Sequence, residues 1–185
     1  GQHIGILTRG YAGRPEIPDM RNLYNLKKMG AIATYPDYRG VARLVGMDIV
    51  YMGHELEGEF DMLEEVFEDH DFIFFHVKKT DSAGEDGNFD AKVQVLEKLD
   101  KLLPRLESLN PDVLVITGDH STPAKYKAHS WHTVPFALVS EWCRPDSVKE
   151  FSESACQHGA MGRFYASEIM LYALGHARRI AKFGA

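Results

Sequence analysis

Asp119 and His120 stand side by side at the end of an apolar run, and His129 follows within the same polar stretch. A carboxylate oxygen beside an imidazole nitrogen is a ligand pair for a divalent ion of the zinc, manganese or magnesium kind. Gly118 lets the backbone turn there, so that two adjacent side chains can face one point. Taken alone, the pair also fits a turn cap followed by a surface histidine. Upstream, Asp81, Glu85 and Asp86 offer further oxygens in a glycine-bearing stretch read as a loop, where Lys78 or Lys79 could offset phosphate charge. That stretch lacks the EF-hand pattern. Arg39 and Arg43, four apart, share one face if their segment is helical, an arrangement that suits a phosphate or carboxylate, or simply a solvated surface. Arg9, at the end of an apolar run, is a further candidate contact for an anion.

The elements that must position these groups follow from hydrophobic patterning. Strands are expected over Ile4–Thr8, Ala31–Tyr35, Asp71–Val77, Asp112–Ile116 and Val134–Val139, the last despite Pro135. Helices are expected from Asp19, as N-cap, to Met29 with Gly30 ending it, through the Pro36–Met47 segment, and over Glu57–Asp69 with a solvated acidic face. Phe89–Leu106 carries the clearest amphipathic pattern, and Tyr165–Lys182 closes the chain with a basic end. Strand 71–77, helix 89–106 and strand 112–116 read as one strand–helix–strand unit. Its two strands end at one sheet edge, which brings the Asp81 segment beside Asp119 and His120. His129 and His132 precede the last strand. They reach that edge if this strand is antiparallel to its neighbour or if the loop doubles back. Such a cluster on strand-end loops signals a metal site.

The 185 residues are 44% hydrophobic and 26% charged, within the range of a globular protein of one core or a little more. A net charge of −6 argues against a nucleic-acid surface. No apolar run is long enough for a membrane span, no signal peptide is evident, and a cytoplasmic protein is expected. Cys143 and Cys156 form no Cys-x-x-Cys pair and are expected to be free and buried. The start at Gly1-Gln2-His3, running straight into an apolar stretch, suggests a piece of something longer.

Three blocks carry a family resemblance: His76-Val77-Lys78-Lys79-Thr80-Asp81, Thr117-Gly118-Asp119-His120-Ser121-Thr122-Pro123, and His129-Ser130-Trp131-His132-Thr133-Val134-Pro135. Together with Tyr38–Met47 and the closing Lys182-Phe183-Gly184-Ala185, they resemble the archaeal-type cofactor-independent phosphoglycerate mutases of the alkaline phosphatase superfamily. The resemblance implies an α/β fold: part of an alkaline-phosphatase-like mixed sheet with helices on both faces. Residues 1–50 would be the tail of an inserted substrate-binding α/β domain and the connection from it, and residues 51–185 the carboxy-terminal part of the phosphatase-like metal-binding domain. It implies two divalent ions, manganese or magnesium ahead of zinc, one held by Asp119 and His120 and the other by Asp81 and His129. Glu85 stands where the family usually has a histidine. Arg39, Arg43, Arg9 and Lys78 would grip the substrate, a small phosphorylated three-carbon acid passing between its 3-phospho and 2-phospho forms through a phosphoserine. The serine nucleophile matches no position here, so no catalytic residue is assigned and the piece alone is expected to be inactive. Two other readings stay open: a phosphatase or phosphodiesterase of the same superfamily, and a non-catalytic metal-binding module. Oligomeric state is not legible.

Overall fold

The computed structural model describes residue 13 and residues 15–180. The expected first strand, Arg9 and the basic tail from Lys182 therefore lie outside the described residues. Asp19 caps α1 (Met20–Tyr24), its Oδ1 accepting from the Arg21 backbone N–H at 2.8 Å. The helix stops at Asn25, whose φ of 52° is the left-handed conformation that asparagine tolerates. Gly30, expected as the stop, instead lies inside β1 (Met29–Ala33).

β1 is buried at every position and forms the centre of a parallel sheet ordered β2-β1-β3, with β2 at Asp48–Tyr51 and β3 at Phe72–His76. Burial on both faces is what a near-continuous apolar strand requires. β2 is a strand the sequence pattern does not announce: four residues opened by an aspartate. The division expected after residue 50 falls within this sheet, which joins β1 and β2 to β3.

α2 (Pro36–Leu44) links β1 to β2, and α3 (Leu56–Val66) with a 3-10 turn links β2 to β3. The two crossovers step in opposite directions along the sheet, so right-handed connections place their helices on opposite faces. The packing agrees. Met29 and Ala31 join Ala42 of α2 and Leu174 in one cluster, with Phe72 and Phe74 packed against it. On the other face Phe60 of α3 meets Phe75 edge-on at 5.1 Å between centroids. Phe60, Met29 and Ile32 are the largest fully buried side chains, each stabilising the fold by about 1.5–3 kcal/mol. This is the α/β architecture expected, with helices on both faces.

Beyond β3 the stretch read as a loop is helical: α4 (Lys79–Glu85). Its aspartate in the first turn complements the helix dipole, and Gly87, at φ 72°, follows its end. Asn88 then caps α5 (Phe89–Ser108), which leads to β4 (Val113–Thr117). β4 does not pair with β3. It forms a second, two-stranded antiparallel sheet with β5 (Phe136–Ser140), Thr117 opposite Phe136. The expected unit thus keeps its element order but not its pairing: β3 pairs with β1, and β4 pairs with β5. The acidic face of α3 is exposed as expected, with Asp61 and Glu64 pairing there with Arg105 of α5, although Glu59 of the same helix is buried. α6 (Glu153–Cys156), a 3-10 turn at Ala166–Glu168 and α7 (Ile169–His176) complete the described elements. The final helix is shorter than its pattern because the backbone turns left-handed at Arg178, φ 56°. Arg179 then reaches Asp71 at 2.5 Å. Cys143 and Cys156 are both free and partly exposed rather than buried.

Candidate metal centre

The antiparallel pairing of β4 and β5 answers the question the sequence left open. The amino end of β5 lies beside the carboxyl end of β4, and residues 118–135 loop over that edge. The loop is pinched by an isolated antiparallel bridge in which the Ser130 N–H donates to the Ser121 carbonyl at 2.9 Å. The pinch sets His129 against His120, rings stacked at 3.7 Å between centroids. α4 supplies the opposite wall, where Asp81 and Glu85, four apart, share a face. Asp81 Oδ1 lies 3.5 Å from His129 Nε2 and 3.9 Å from His120 Nδ1. Glu85 Oε1 lies 3.6 Å from His129 Nε2. Asp81, His120 and His129 each offer one donor atom within 4.8 Å of the others. One oxygen and two nitrogens at that spacing fit a hard or borderline divalent ion.

Asp119 stands beside this group rather than within it. Its Oδ2 is 3.5 Å from His120 Nε2 and accepts the hydrogen bond of the Tyr38 hydroxyl. Tyr38 leaves the first turn of α2 and stacks on His76, at the end of β3, at 3.8 Å. His120 therefore adjoins both Asp81 and Asp119. His132 takes no part: its Nδ1 pairs with Ser130 Oγ at 2.9 Å and its ring stacks on Trp131. Lys78 forms an ion pair with Asp81 and lies 4.7 Å above the Tyr35 ring. Arg39, partly buried, follows Tyr38 directly, and exposed Arg43 lies one turn further along α2. Neither arginine side chain forms a hydrogen bond or ion pair with another described residue.

The electrostatics favour a cation. Burial pushes the Asp81 carboxyl up, but hydrogen bonds from Lys78 and Thr122 and the neighbouring positive charge outweigh it and leave it below the usual range. Asp119 behaves alike: burial opposes, and the Tyr38 hydrogen bond with His120 nearby prevails. The Tyr38 phenol is held well above its ordinary value, by burial first and then by Asp119. Both carboxylates are thus anions at neutral pH. Sequence reasoning missed Tyr38 and Thr122 as parts of this site. Both lie in the blocks that carry the family resemblance, but neither is a ligand type that spacing alone would single out.

A family profile described as the metalloenzyme superfamily matches residues 2–175. The chain belongs to the metalloenzyme superfamily. The chain is similar to a protein of Thermotoga maritima named "Probable 2,3-bisphosphoglycerate-independent phosphoglycerate mutase", 50% identical over 179 residues, which are 97% of this chain and 44% of that protein. A protein of the same name from Thermus thermophilus is 47% identical over 184 residues, 98% of this chain and 45% of its own length. The chain therefore spans less than half the length of these curated relatives. Among solved structures, a Pyrococcus horikoshii protein superposes with a TM-score of 0.85 at 28% identity, covering 91% of this chain and 54% of the other. The cofactor-independent phosphoglycerate mutase of Thermoplasma acidophilum shares the fold, with a TM-score of 0.71 at 22% identity, covering 88% and 40%. The family resemblance carried by the motifs and the α/β fold it implies are both borne out. Among the described residues no helix is long and apolar enough to cross a membrane.

Proposed function

We propose that this chain is the metal-binding, carboxy-terminal portion of a 2,3-bisphosphoglycerate-independent phosphoglycerate mutase, a cytoplasmic enzyme of glycolysis. One observation carries this reading: Asp81, His120 and His129 converge at one strand-end edge in a superfamily member half identical to proteins of that name. In this reading Asp81 and His129, with Glu85 near enough to take part, hold one divalent ion, and Asp119 with His120 holds a second. Manganese or magnesium is preferred to zinc, since three of these five donors are carboxylates. Two such ions supply positive charge for the oxygens between which a phosphoryl group passes.

The remaining groups bind and orient. Tyr38 holds Asp119, Lys78 balances Asp81, and Arg39 stands beside Tyr38, where a guanidinium can grip a phosphate or carboxylate in a bidentate fashion. Arg43 and Arg9 are assigned the same role, as further contacts for the three-carbon acid. The reading assigns the serine nucleophile to no residue of this chain. Accordingly the 185 residues alone, given manganese or magnesium, are expected not to interconvert 3- and 2-phosphoglycerate, whereas the longer polypeptide of a complete reading frame does. Turnover by the 185 residues alone overturns the assignment. Hydrolysis of phosphate esters without isomerisation by the longer polypeptide makes it a phosphatase or phosphodiesterase, and metal binding with neither activity makes it a non-catalytic module.

A further inference from the structure

Thr122 lies two residues beyond His120 and is 3% exposed. Its hydroxyl has one proton and two neighbours, Asp81 Oδ1 at 2.5 Å and His120 Nδ1 at 2.9 Å. A carboxylate only accepts, so the proton goes to Asp81, and the hydroxyl lone pair is left for an N–H on His120 Nδ1. A neutral imidazole carries a single N–H, so with the proton on Nδ1 the other nitrogen, Nε2, keeps its lone pair. The competing arrangement would place the proton on Nε2, pointing at Asp119 Oδ2. That separation is 3.5 Å, longer than an ordinary hydrogen bond, and Asp119 already accepts from Tyr38. Asp81 Oδ1, 3.9 Å from Nδ1, adds further attraction for a proton on the Thr122 side. The backbone of Thr122 is held separately, its carbonyl accepting from Lys92 Nζ at 2.6 Å.

We propose that Thr122 is a positioning residue that holds His120 in its Nδ1–H form, so that Nε2 is the atom His120 presents to a cation. Its consequence for metal affinity rests on the metal-site reading above, but the position of the proton does not. Histidines that bind metals generally donate their other N–H to a neighbouring acceptor, and loss of that acceptor typically costs 10–100-fold in affinity.

The proton position is read from long-range ¹H–¹⁵N correlation spectra of the metal-free chain with labelled histidine, at about pH 8, above the imidazole range. His120 is expected to show a protonated Nδ1 and a bare Nε2. Manganese titrations then compare the chain with Thr122→Val, which keeps the shape without the hydroxyl, and Thr122→Ser, which keeps the hydroxyl. The valine variant is expected to bind about tenfold to a hundredfold more weakly, and the serine variant close to the unsubstituted chain. A His120 protonated on Nε2, or a folded valine variant with unchanged affinity, overturns the proposal. If the unsubstituted chain binds no manganese, the metal reading fails, and the spectrum alone still decides the role of Thr122. The spectrum and the serine variant do the same if the valine variant does not fold.

Discussion

Replacing Gly84 with alanine sets two physical effects against each other at the wall of the site. Gly84 is buried in α4, and a Cβ built on it would lie 2.3 Å from the Thr122 carbonyl oxygen and 3.2 Å from Lys92 Nζ. Ordinary contact begins near 3.4 Å, so the loop bearing Thr122 and α4 must separate by about 1 Å. A backbone oxygen cannot rotate out of the way. Helix propensity alone predicts that alanine stabilises α4, by up to about 1 kcal/mol. Overpacking costs about 1–3 kcal/mol, and loss of the charged Lys92 hydrogen bond to Thr122 costs roughly 1.5–3 kcal/mol. The net expectation is a loss of about 2–5 kcal/mol, which for a chain of this size lowers Tm by roughly 5–15 °C. Thermal melts followed by circular dichroism measure it, and a manganese titration of the folded variant reports whether the displaced Thr122 also loosens the site. A Tm equal to or above that of the unsubstituted chain refutes the close approach of α4 to the 121–124 loop.

Two other predictions concern charge. Burial raises the Glu59 carboxyl from its ordinary 4.5 to about 7, with the Lys79 charge opposing. The folded chain then binds more protons than the unfolded one between those values, so stability falls as pH rises through that window, by up to about 3 kcal/mol. Glu59→Gln should flatten that dependence in urea unfolding at about pH 5 and pH 8, and an unchanged slope would remove Glu59 as its cause. In the longer polypeptide, Arg39→Ala or Arg43→Ala should lower kcat/KM by roughly tenfold to a hundredfold if that residue anchors substrate, with lysine restoring only part. Unchanged kinetics in both would return these arginines to the solvated surface.

Strand and helix existence was legible wherever the apolar pattern was long: β1, β3, β4, β5 and α5 stand close to their expected ranges. What was not legible came from three-dimensional competition. α4 reads as loop because Gly84 and Gly87 are loop-formers in isolation, yet Gly84 sits in the helix where only a glycine fits against Thr122. The missing pairing of β3 with β4 could not be foreseen, since strand partners depend on which neighbour reaches the free edge. At the site, ligand-type residues announced themselves by chemistry, and the antiparallel β4–β5 pair supplied the geometry that chemistry lacked. Tyr38 and Thr122 escaped because they act through hydroxyl groups on other side chains, and spacing carries no mark of that.

In the proposed site Asp81 and His129 hold a divalent ion, with His120 and Asp119 alongside. Crystals of the chain grown in manganese, with anomalous scattering recorded, test it most directly. A manganese peak about 2 Å from one donor atom each of Asp81 and His129 is expected. Saturating manganese with no peak there, or with a peak bound only elsewhere, would contradict it.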